Sequence, residues 1–434
     1  MSDAALAKGK ITDGDLRLLE KRIGTPNPTL RAGLPLEPWN PVVDANGVRR
    51  WAASIGDDNP LYRDASHARR SVWGAPVAPP GFEWSMGWER SPSVSAELVA
   101  ETRWALRGVQ LYHSGAEYHY YRPLTEGTEL YKSEWLAGAA EKESRFANRT
   151  VITTNANAFW DQDEVVRITS SRWFVHAERR QLSDEDKAKA KAKAKAEAEA
   201  KDAKTSGGYQ PPHYTDEQLA EIDAAYENQF LRGAETLYFE DVRPDMAMPT
   251  MVKGPLTITD MINMHMGAGW ITYASPAYRM AYQNRKRLKG FYVRNQFNAW
   301  DTLQRVHWDE DLARSVGVPA IYDIGPMRFV MLCHYLTNWA GDDAFVHRIR
   351  YELRSFNYLG DVTWLSGKIV EIRIDEKLGP LVELEVSGIN QRGEKNITGA
   401  ATVLLPSRAG GPVRLPDPPP MPKYRSDKPT APGL

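Results

Sequence analysis

The sequence predicts an α+β protein of two similar units, each an antiparallel sheet wrapped around one central helix. Segments with the alternating polarity of strands, separated by turn residues, form two groups on either side of a stretch rich in Ala, Lys and Glu. A segment that opens with Gly and Pro precedes each group, and proline suits a first helical turn because its missing N–H would have no partner there. The second of these segments is apolar on nearly every side, which indicates a buried helix.

Length, charge and cysteine content narrow the class of protein. The chain has 434 residues, enough for two or three domains at roughly 150 residues each. Lys and Arg number 55 and Asp and Glu 56, and this balance argues against binding nucleic acid or an anionic membrane over a whole face. The hydrophobic fraction of 42% excludes a wholly disordered chain. The single cysteine, Cys333, excludes an intramolecular disulfide framework and fits a reducing compartment.

Hydropathy gives an expectation for location. The first residues contain no apolar segment of the kind that forms a secretory signal. No uncharged apolar run is long enough to span a bilayer, which takes about 18 residues or more. We therefore expect a cytoplasmic protein with neither a membrane nor a nucleic acid as partner.

A change in composition divides the chain. Residues 187–204 are almost wholly Ala, Lys, Glu and Asp, and a segment without an apolar stripe cannot dock on a core. We therefore predict a linker over 182–213, in preference to a nucleic-acid-binding role for its lysines. This gives an N-terminal unit over 14–181, a C-terminal unit over 214–408 and a Pro-rich tail over 409–434.

Strand and helix signals repeat in the two units. Each unit has a strand, a turn closed by glycine (Gly127 or Gly360) and a second strand. Helix-like segments lie upstream, at 79–88 and 325–339. The predicted strands are 115–121, 128–136, 149–154 and 164–175 in the first unit, and 347–353, 361–374, 381–389 and 397–405 in the second.

Each unit also has an acidic motif before its central helix. In the first unit Asp57, Asn59, Pro60 and Tyr62 follow Gly56, and this run taken alone is ordinary turn chemistry. In the second unit Asp301 precedes His307 by six residues, and Ala313-Arg314 and Gly325 follow. Both units thus order an acid, then a His or Tyr, then Ala-Arg, then the helix.

This arrangement resembles the MaoC-like dehydratases and R-specific enoyl-CoA hydratases. Their signature is Gly-Asp-x-Asn-Pro-[Ile/Leu/Val]-His, followed by an Ala and by a Gly at the start of the central helix. The resemblance covers both units and implies two hot-dog domains that together form a pseudo-dimer. It also implies a hydratase or dehydratase activity on an acyl-CoA thioester.

Neither copy of the signature is complete. The first copy has Tyr62 where the family has His, and the second has Gln304-Arg305 in place of Asn-Pro. Asp301 lies one residue farther from His307 than the family spacing, which falls on Thr302. In two-domain relatives one half keeps the catalytic pair and the other shapes the acyl pocket, which makes the C-terminal unit the catalytic one here.

The resemblance then assigns roles to residues. Asp301 and His307 are expected to activate water, and the backbone N–H of Gly325 to stabilise charge on the thioester oxygen, because a helix N-terminus has free N–H groups and a positive dipole end. Asp57, Asn59 and Tyr62 become substrate-binding residues. The alternatives are a packing role for His307 beside Trp308 and an active site in the first unit. Asp309 is expected to cap the next helix and Asp323 to order the site.

Binding partners follow from the same resemblance. The basic run Arg285, Lys286 and Arg287 is a candidate for binding coenzyme A phosphates, with a solvated turn as the alternative. No pair of His residues has metal-ligand spacing near suitable acids, so no metal site is predicted. No redox cofactor is expected, since coenzyme A comes as part of the substrate. A homodimer of pseudo-dimers is the expected assembly.

Two other classes of function are compatible with the sequence. The incomplete motifs are compatible with a non-catalytic acyl-CoA-binding subunit. The same fold supports thioesterases, and fold alone does not decide function. The order of motif, helix and strands favours an enoyl-CoA hydratase or 3-hydroxyacyl-CoA dehydratase.

Overall fold

A computed structural model describes residues 9–26, 37–142, 149–178, 209–269, 276–316 and 318–425, so most of the predicted linker lies outside the described residues. The helices are α1 (Asp13–Arg22), α2 (Ala45–Ile55), α3 (Pro60–Arg63), α4 (Ala65–Arg70), α5 (Ala96–Thr102), α6 (Asp216–Glu227), α7 (Ile258–Ala268), α8 (Tyr278–Arg287), α9 (Glu310–Ser315) and α10 (Pro326–Ala340). Short 3-10 helices cover Phe82–Ser85, Phe239–Asp241, Lys289–Phe291 and Leu303–His307. The strands are β1 (Val77–Ala78), β2 (Trp88–Glu89), β3 (Gln110–Tyr120), β4 (Leu124–Thr125), β5 (Tyr131–Lys142), β6 (Thr150–Trp160), β7 (Val166–Ala177), β8 (Met248–Lys253), β9 (Tyr292–Arg294), β10 (Trp300–Thr302), β11 (Phe345–Leu353), β12 (Thr363–Asp375), β13 (Gly379–Asn390) and β14 (Lys395–Leu404).

One large sheet joins the two halves. Its ten strands follow the order β2-β5-β6-β7-β3-β11-β14-β13-β12-β8. The junction is an antiparallel pairing of β3 with β11, in which Tyr351 lies opposite Ala116. The long strands β3, β7, β6 and β5 therefore correspond in order to β11, β14, β13 and β12, which confirms the predicted pseudo-dimer of two similar units.

Alternating polarity sets the register of the strands. In β13, Leu384 and Val386 are buried while Glu383 and Glu385 point to the other face. A slip of one residue would exchange these two sets, so burial of the apolar face fixes the pairing. The outward carboxylates contact cations of neighbouring strands, as in the Lys368–Glu385 pair at 2.6 Å.

The helix α10 lies against the junction of the two halves. Its Phe329 ring stacks on Tyr118 of β3 at 4.4 Å and on Tyr351 of β11 at 5.2 Å. Phe329 and Leu332 are fully buried, and each such side chain contributes about 1.5–3 kcal/mol. The buried central helix predicted for the second half is confirmed, and it belongs to the core of both halves.

The helix predicted over 79–88 in the first half is wrong. The segment contains only the 3-10 helix Phe82–Ser85, because Gly81 (φ 98°) and Gly87 (φ 96°) on either side adopt left-handed backbone that an α-helix excludes. A Cβ built on Gly81 would lie 3.5 Å from Cγ2 of Val330 and 3.8 Å from Sγ of Cys333, so this short turn packs directly on α10. The long helix α10 thus packs against residues of both halves.

The described part of the tail packs back on the first half. The N–H of Arg425 donates to the carbonyl of Gly24 at 2.8 Å, and the Tyr424 ring meets Trp135 edge-on at 5.5 Å. Among the described residues, no helix is both long and apolar enough to cross a bilayer.

Candidate active site

His307 is the last residue of the 3-10 helix that follows β10. Its Nδ1 lies 2.9 Å from the carbonyl oxygen of Tyr322, and the two rings meet edge-on at 4.8 Å. Because a carbonyl only accepts, we assign the ring proton to Nδ1, which leaves the lone pair of a neutral imidazole on Nε2. Burial lowers the pKa of His307, with the Tyr322 carbonyl acting in the opposite sense. The side chain is therefore a neutral base at physiological pH.

Asp301 is not paired with His307. Its side chain is 39% exposed, accepts from the N–H of Thr302 at 2.7 Å and lies 3.8 Å from the guanidinium of Arg305. Within the described part of the chain, no hydrogen bond or ion pair joins Asp301 to His307. The catalytic pair that the resemblance implies is not formed in this structure.

Arg305 explains the orientation of this loop. It occupies the place of the family's proline and is buried, and its guanidinium lies 3.8 Å from Asp301 and 3.5 Å from Asp309. It also donates to the carbonyl of Arg294 at 3.1 Å. The sequence signal was an arginine with acids four residues away on both sides. Asp309 accepts from the N–H of Leu312 at 2.8 Å, so its predicted capping role is confirmed.

Gly325 stands at the N-terminus of α10. None of the described residues accepts a hydrogen bond from its N–H, so this donor and the positive end of the helix dipole are available to a ligand oxygen. Asp323 lies 2.8 Å from Arg328 in the first turn, and both are buried. Burial raises the pKa of Asp323 to about 6, and Arg328 opposes the shift. Asp323 thus anchors the first turn.

Aromatic rings from both halves surround this end of α10. The Tyr322 ring meets Phe356 at 5.0 Å, and Phe356 in turn meets Tyr358 at 5.8 Å. Tyr112, at the start of β3, completes the group with a 5.9 Å edge contact to Phe356. The first half therefore contributes to the surroundings of His307.

The acid of the first motif, Asp57, is buried in a row of polar side chains that also includes His334 and Lys253. Asp57 follows the left-handed Gly56 that ends α2, and its Oδ1 accepts from the N–H of Asn59 at 3.0 Å. The same oxygen lies 3.7 Å from Nε2 of His334, whose Nδ1 is 2.7 Å from Nζ of Lys253. His334 thus makes an internal hydrogen bond with Lys253, a residue that the sequence analysis does not predict to be near it.

Burial shifts the pKa values of Asp57, Lys253 and His334. It raises the pKa of Asp57 to about 7 and lowers that of Lys253 to about 8. The pKa of His334 is lowered well below its usual value by burial and then by the charge of Lys253. Asp57, Asp58 and His334 could offer ligand atoms within 4.8 Å of one another to a metal. Donation from Lys253 to Nδ1, however, places the imidazole proton on Nε2, so this nitrogen has no lone pair to offer a metal ion.

The remaining residues of the first motif hold the structure together. Asn59 caps α3 by accepting from the N–H of Leu61 at 2.9 Å, and its amide donates to Asp342 at 3.1 Å. Asp342 also lies 2.9 Å from Nε2 of His67. Tyr62 is buried and lines a small recess with a cavity volume of about 50 Å³.

The two motifs lie at opposite ends of the β3–β11 pair. The recess at Tyr62 is lined by Leu124, just beyond the end of β3, and by Phe345 at the start of β11. The surroundings of His307 include Tyr112 at the start of β3. The structure thus does not bring Asp57, Asn59 or Tyr62 to His307, and their predicted substrate-binding role is not supported by contact with it.

The basic run ends α8 beside the strand that leads to His307. The Arg285 guanidinium lies 4.9 Å from the Trp300 ring centre, and Lys286 Nζ lies 4.4 Å from that of Tyr282. Arg287 makes a 3.5 Å contact with Asn284. No Asp or Glu occurs from residue 261 to residue 300, so this surface is locally basic although the chain is nearly neutral.

Comparisons with known proteins agree with this architecture. Residues 31–169 match the family described as FAS1-like, dehydratase domain region. Over 80 residues, 18% of this chain and 50% of the relative, the sequence is 32% identical to a UPF0336 protein of Thermobifida fusca (strain YX). Over 83 residues, 19% of this chain and 53% of the relative, it is 29% identical to a UPF0336 protein of Streptomyces griseus. The chain spans about half the length of these curated relatives.

A solved structure of a MaoC-like dehydratase is similar over most of the chain. The TM-score is 0.55 at 18% identity, with 89% of this chain and 99% of that chain covered. The protein therefore shares the fold of this dehydratase, and the predicted fold of two hot-dog domains in a pseudo-dimer is confirmed. The predicted resemblance to MaoC-like dehydratases is confirmed, and residues 31–169 carry the match to a dehydratase domain region.

Proposed function

We propose that the protein adds or removes water at the α,β double bond of an acyl-CoA thioester, with the active site in the C-terminal half. The observation that carries this proposal is the 2.9 Å hydrogen bond from His307 Nδ1 to the carbonyl of Tyr322. Tyr322 lies three residues before Gly325, the N-terminus of α10. The hydrogen bond therefore fixes a neutral base to residues 322–325, the segment that leads into the N-terminus of α10.

This geometry suits hydration of an enoyl thioester. Nε2 of His307 accepts a proton from water as the water oxygen bonds to the β-carbon, and the double-bond electrons move toward the thioester oxygen. The N–H of Gly325 stabilises the negative charge on that oxygen. The imidazolium then returns its proton to the α-carbon, so that the net change is the addition of H and OH. Because no electrons leave the substrate and the thioester activates it, the proposal includes no metal and no cofactor besides coenzyme A.

Asp301 acts indirectly in this scheme. Its carboxylate lies nearest to Arg305, which also contacts Asp309 and the backbone of β9. Asp301 therefore helps to hold the loop that carries His307, and proton transfer falls to the imidazole alone.

The basic run would bind the phosphates of coenzyme A. Arg285 and Lys286 are held over aromatic rings, which restricts their stems, and this reduces the entropy lost when a phosphate binds. Arg287 lies on the same last turn of α8. The position of this turn, next to β10, suits a ligand whose thioester end reaches His307.

The decisive experiment offers the purified chain crotonyl-CoA and an aromatic enoyl-CoA, and follows both 3-hydroxyacyl product and free thiol. Hydrated product without thiol supports the proposal, with His307→Ala as the inactive control. Release of thiol would identify a thioesterase instead. Binding without either product would favour the acyl-CoA-binding subunit, for which the separation of Asp301 from His307 is the supporting observation.

A further inference from the structure

A histidine of the first half lies against the N-terminus of α10. His113 of β3 has its Nε2 2.8 Å from the hydroxyl oxygen of Tyr351 of β11. A Cβ built on Gly325 would lie 3.4 Å from Cδ2 of His113 and 3.4 Å from Cδ1 of Leu353. These are ordinary contact distances, so His113 and Leu353 pack directly on the backbone that carries the proposed oxyanion donor.

The local sequence of β3 directs His113 to this position. The pairing of β3 with β7 shifts register between His113 and Gly115, which is a β-bulge. A Cβ on Gly115 would lie 2.4 Å from the carbonyl oxygen of Tyr351, so only glycine allows β3 and β11 to approach this closely here. Bulges re-aim side chains and are frequent beside functional sites.

The pair is uncharged, which suits its place at a helix N-terminus. Burial lowers the pKa of His113 to about 3, and the charges of Arg172 and Arg328 add to this. Burial also raises the pKa of Tyr351, so its hydroxyl keeps its proton. A carboxylate at this position would take the N–H of Gly325 for itself, whereas a neutral imidazole leaves that donor to a substrate oxygen.

We propose that His113, held by Tyr351, is a positioning residue that fixes the Gly325 end of α10 for the proposed reaction. The inference rests on the proposed function and deepens it, because it makes the first half a necessary part of the site in the second. His113 acts through the helix terminus, and neither it nor Tyr351 needs to exchange a proton with the substrate.

The test measures hydration of crotonyl-CoA by the full chain. Tyr351→Phe removes only the hydroxyl, and His113→Leu removes the hydrogen-bonding ring. We expect kcat to fall about tenfold or more in both, since small displacements of catalytic donors are this costly, while KM changes little. The melting midpoint of Tyr351→Phe should fall no further than that of a variant that loses a buried hydroxyl elsewhere. His113→Gln, whose amide can reach the Tyr351 hydroxyl, should recover a large part of the loss.

Tyr120→Phe is the matched control. Tyr120 also lies on β3 and donates from a buried hydroxyl to Glu83 at 3.0 Å, but it lies at the opposite end of the strand from His113. Its loss should leave kcat unchanged. Equal losses of kcat and of melting midpoint in Tyr351→Phe and Tyr120→Phe would reduce the role of Tyr351 to general stability and overturn the inference.

A double-mutant cycle separates the remaining outcomes. If His113 acts through Gly325, the effects of Gly325→Ala and His113→Leu on kcat should be far from additive, whereas additive effects contradict the inference. An active wild type whose kcat survives His113→Leu and Tyr351→Phe overturns the inference alone. A wild type without any turnover overturns the proposed function, and the inference with it.

Discussion

The two ends of the β3–β11 pair carry two copies of one motif, and in the proposed function the better preserved copy is the structural one. In the first half Asp57 and Asn59 match the family signature, yet their side chains are bound to partners inside the fold. In the second half the histidine is present but Gln304 and Arg305 replace Asn and Pro, and the contact of His307 with the backbone of Tyr322 leaves one ring nitrogen for chemistry. On this proposal, agreement with a signature does not by itself locate an active site.

The two motifs also lie near opposite ends of the dipole of α10. α10 presents its N-terminus to the surroundings of His307, whereas Gly341 and Asp342 follow its C-terminus near Tyr62. The N-terminus favours developing negative charge and the C-terminus opposes it. Where the second half has α10, the first half has the 3-10 helix Phe82–Ser85, and its motif has Tyr62 in the place of the histidine.

The largest effect should come from the imidazole. His307→Ala removes the only proton carrier of the proposed reaction, so kcat for crotonyl-CoA should fall by about a hundredfold or more. Tyr62→Phe, at the corresponding position of the first half, should change kcat less than about threefold. Circular dichroism should show that both variants fold. Full loss with Tyr62→Phe and retained activity with His307→Ala would place the active site in the first half.

A second effect concerns stability. Asp342→Ala removes the acceptor of the buried Asn59 amide and of the partly exposed His67, and leaving a buried polar group unpaired costs about 1–3 kcal/mol. We expect the free energy of unfolding in urea to drop by about 2 kcal/mol or more. Asp58→Ala, an exposed neighbour in the same motif, should stay within about 0.5 kcal/mol of wild type. Equal stability of the two variants would contradict a structural role for the first motif.

How far the sequence predicts this architecture depends on the range of the contacts. The apolar sequence of α10 and the alternation in β13 are local signals, and the structure agrees with both. The helix prediction for residues 79–88 was wrong because Gly81 and Gly87 are compatible with a helix start as well as with left-handed turns. Only the φ angle of each glycine distinguishes the two conformations.

The site itself was less predictable because its contacts cross the chain. The acceptor for His307 is a backbone carbonyl. Every residue has one, so no residue type in the sequence predicts this contact. Asp57, Lys253 and His334 are far apart in sequence and meet only when the two halves pack together. For His113, the local signal was a Gly two residues later in a strand, which is compatible with a bulge.

A third prediction uses the buried acid of the first half. The folded pKa of Asp57 is about 7, against about 3.9 when unfolded, so between these values the folded chain binds more protons. The free energy of unfolding should therefore fall as pH rises from about 4 to about 7, by at most about 1.4 kcal/mol per pH unit from this group. Denaturation at pH 5 and pH 7 should show a steeper decline in wild type than in Asp57→Asn, in which Asp323 still contributes a decline of its own. Parallel curves would mean that Asp57 is charged throughout.

The smallest expected effect is that of Asp301→Asn on kcat. It tests whether the acid of the second motif takes part in the proposed reaction. The side chain of Asp301 is 39% exposed and lies 3.8 Å from Arg305, and exposed ion pairs of this kind are worth only about 0–1 kcal/mol. Asp301→Asn should therefore lower kcat less than about fivefold, roughly the effect of 1 kcal/mol on a rate. Arg305→Ala is the sharper comparison, since Arg305 is buried and contacts both Asp309 and the carbonyl of Arg294, and its loss should lower kcat more than Asp301→Asn does. If Asp301→Asn instead matched the loss of His307→Ala, the loop would have to rearrange on substrate binding so that the carboxylate reaches the imidazole. The acid and base would then form the pair that the family signature implies.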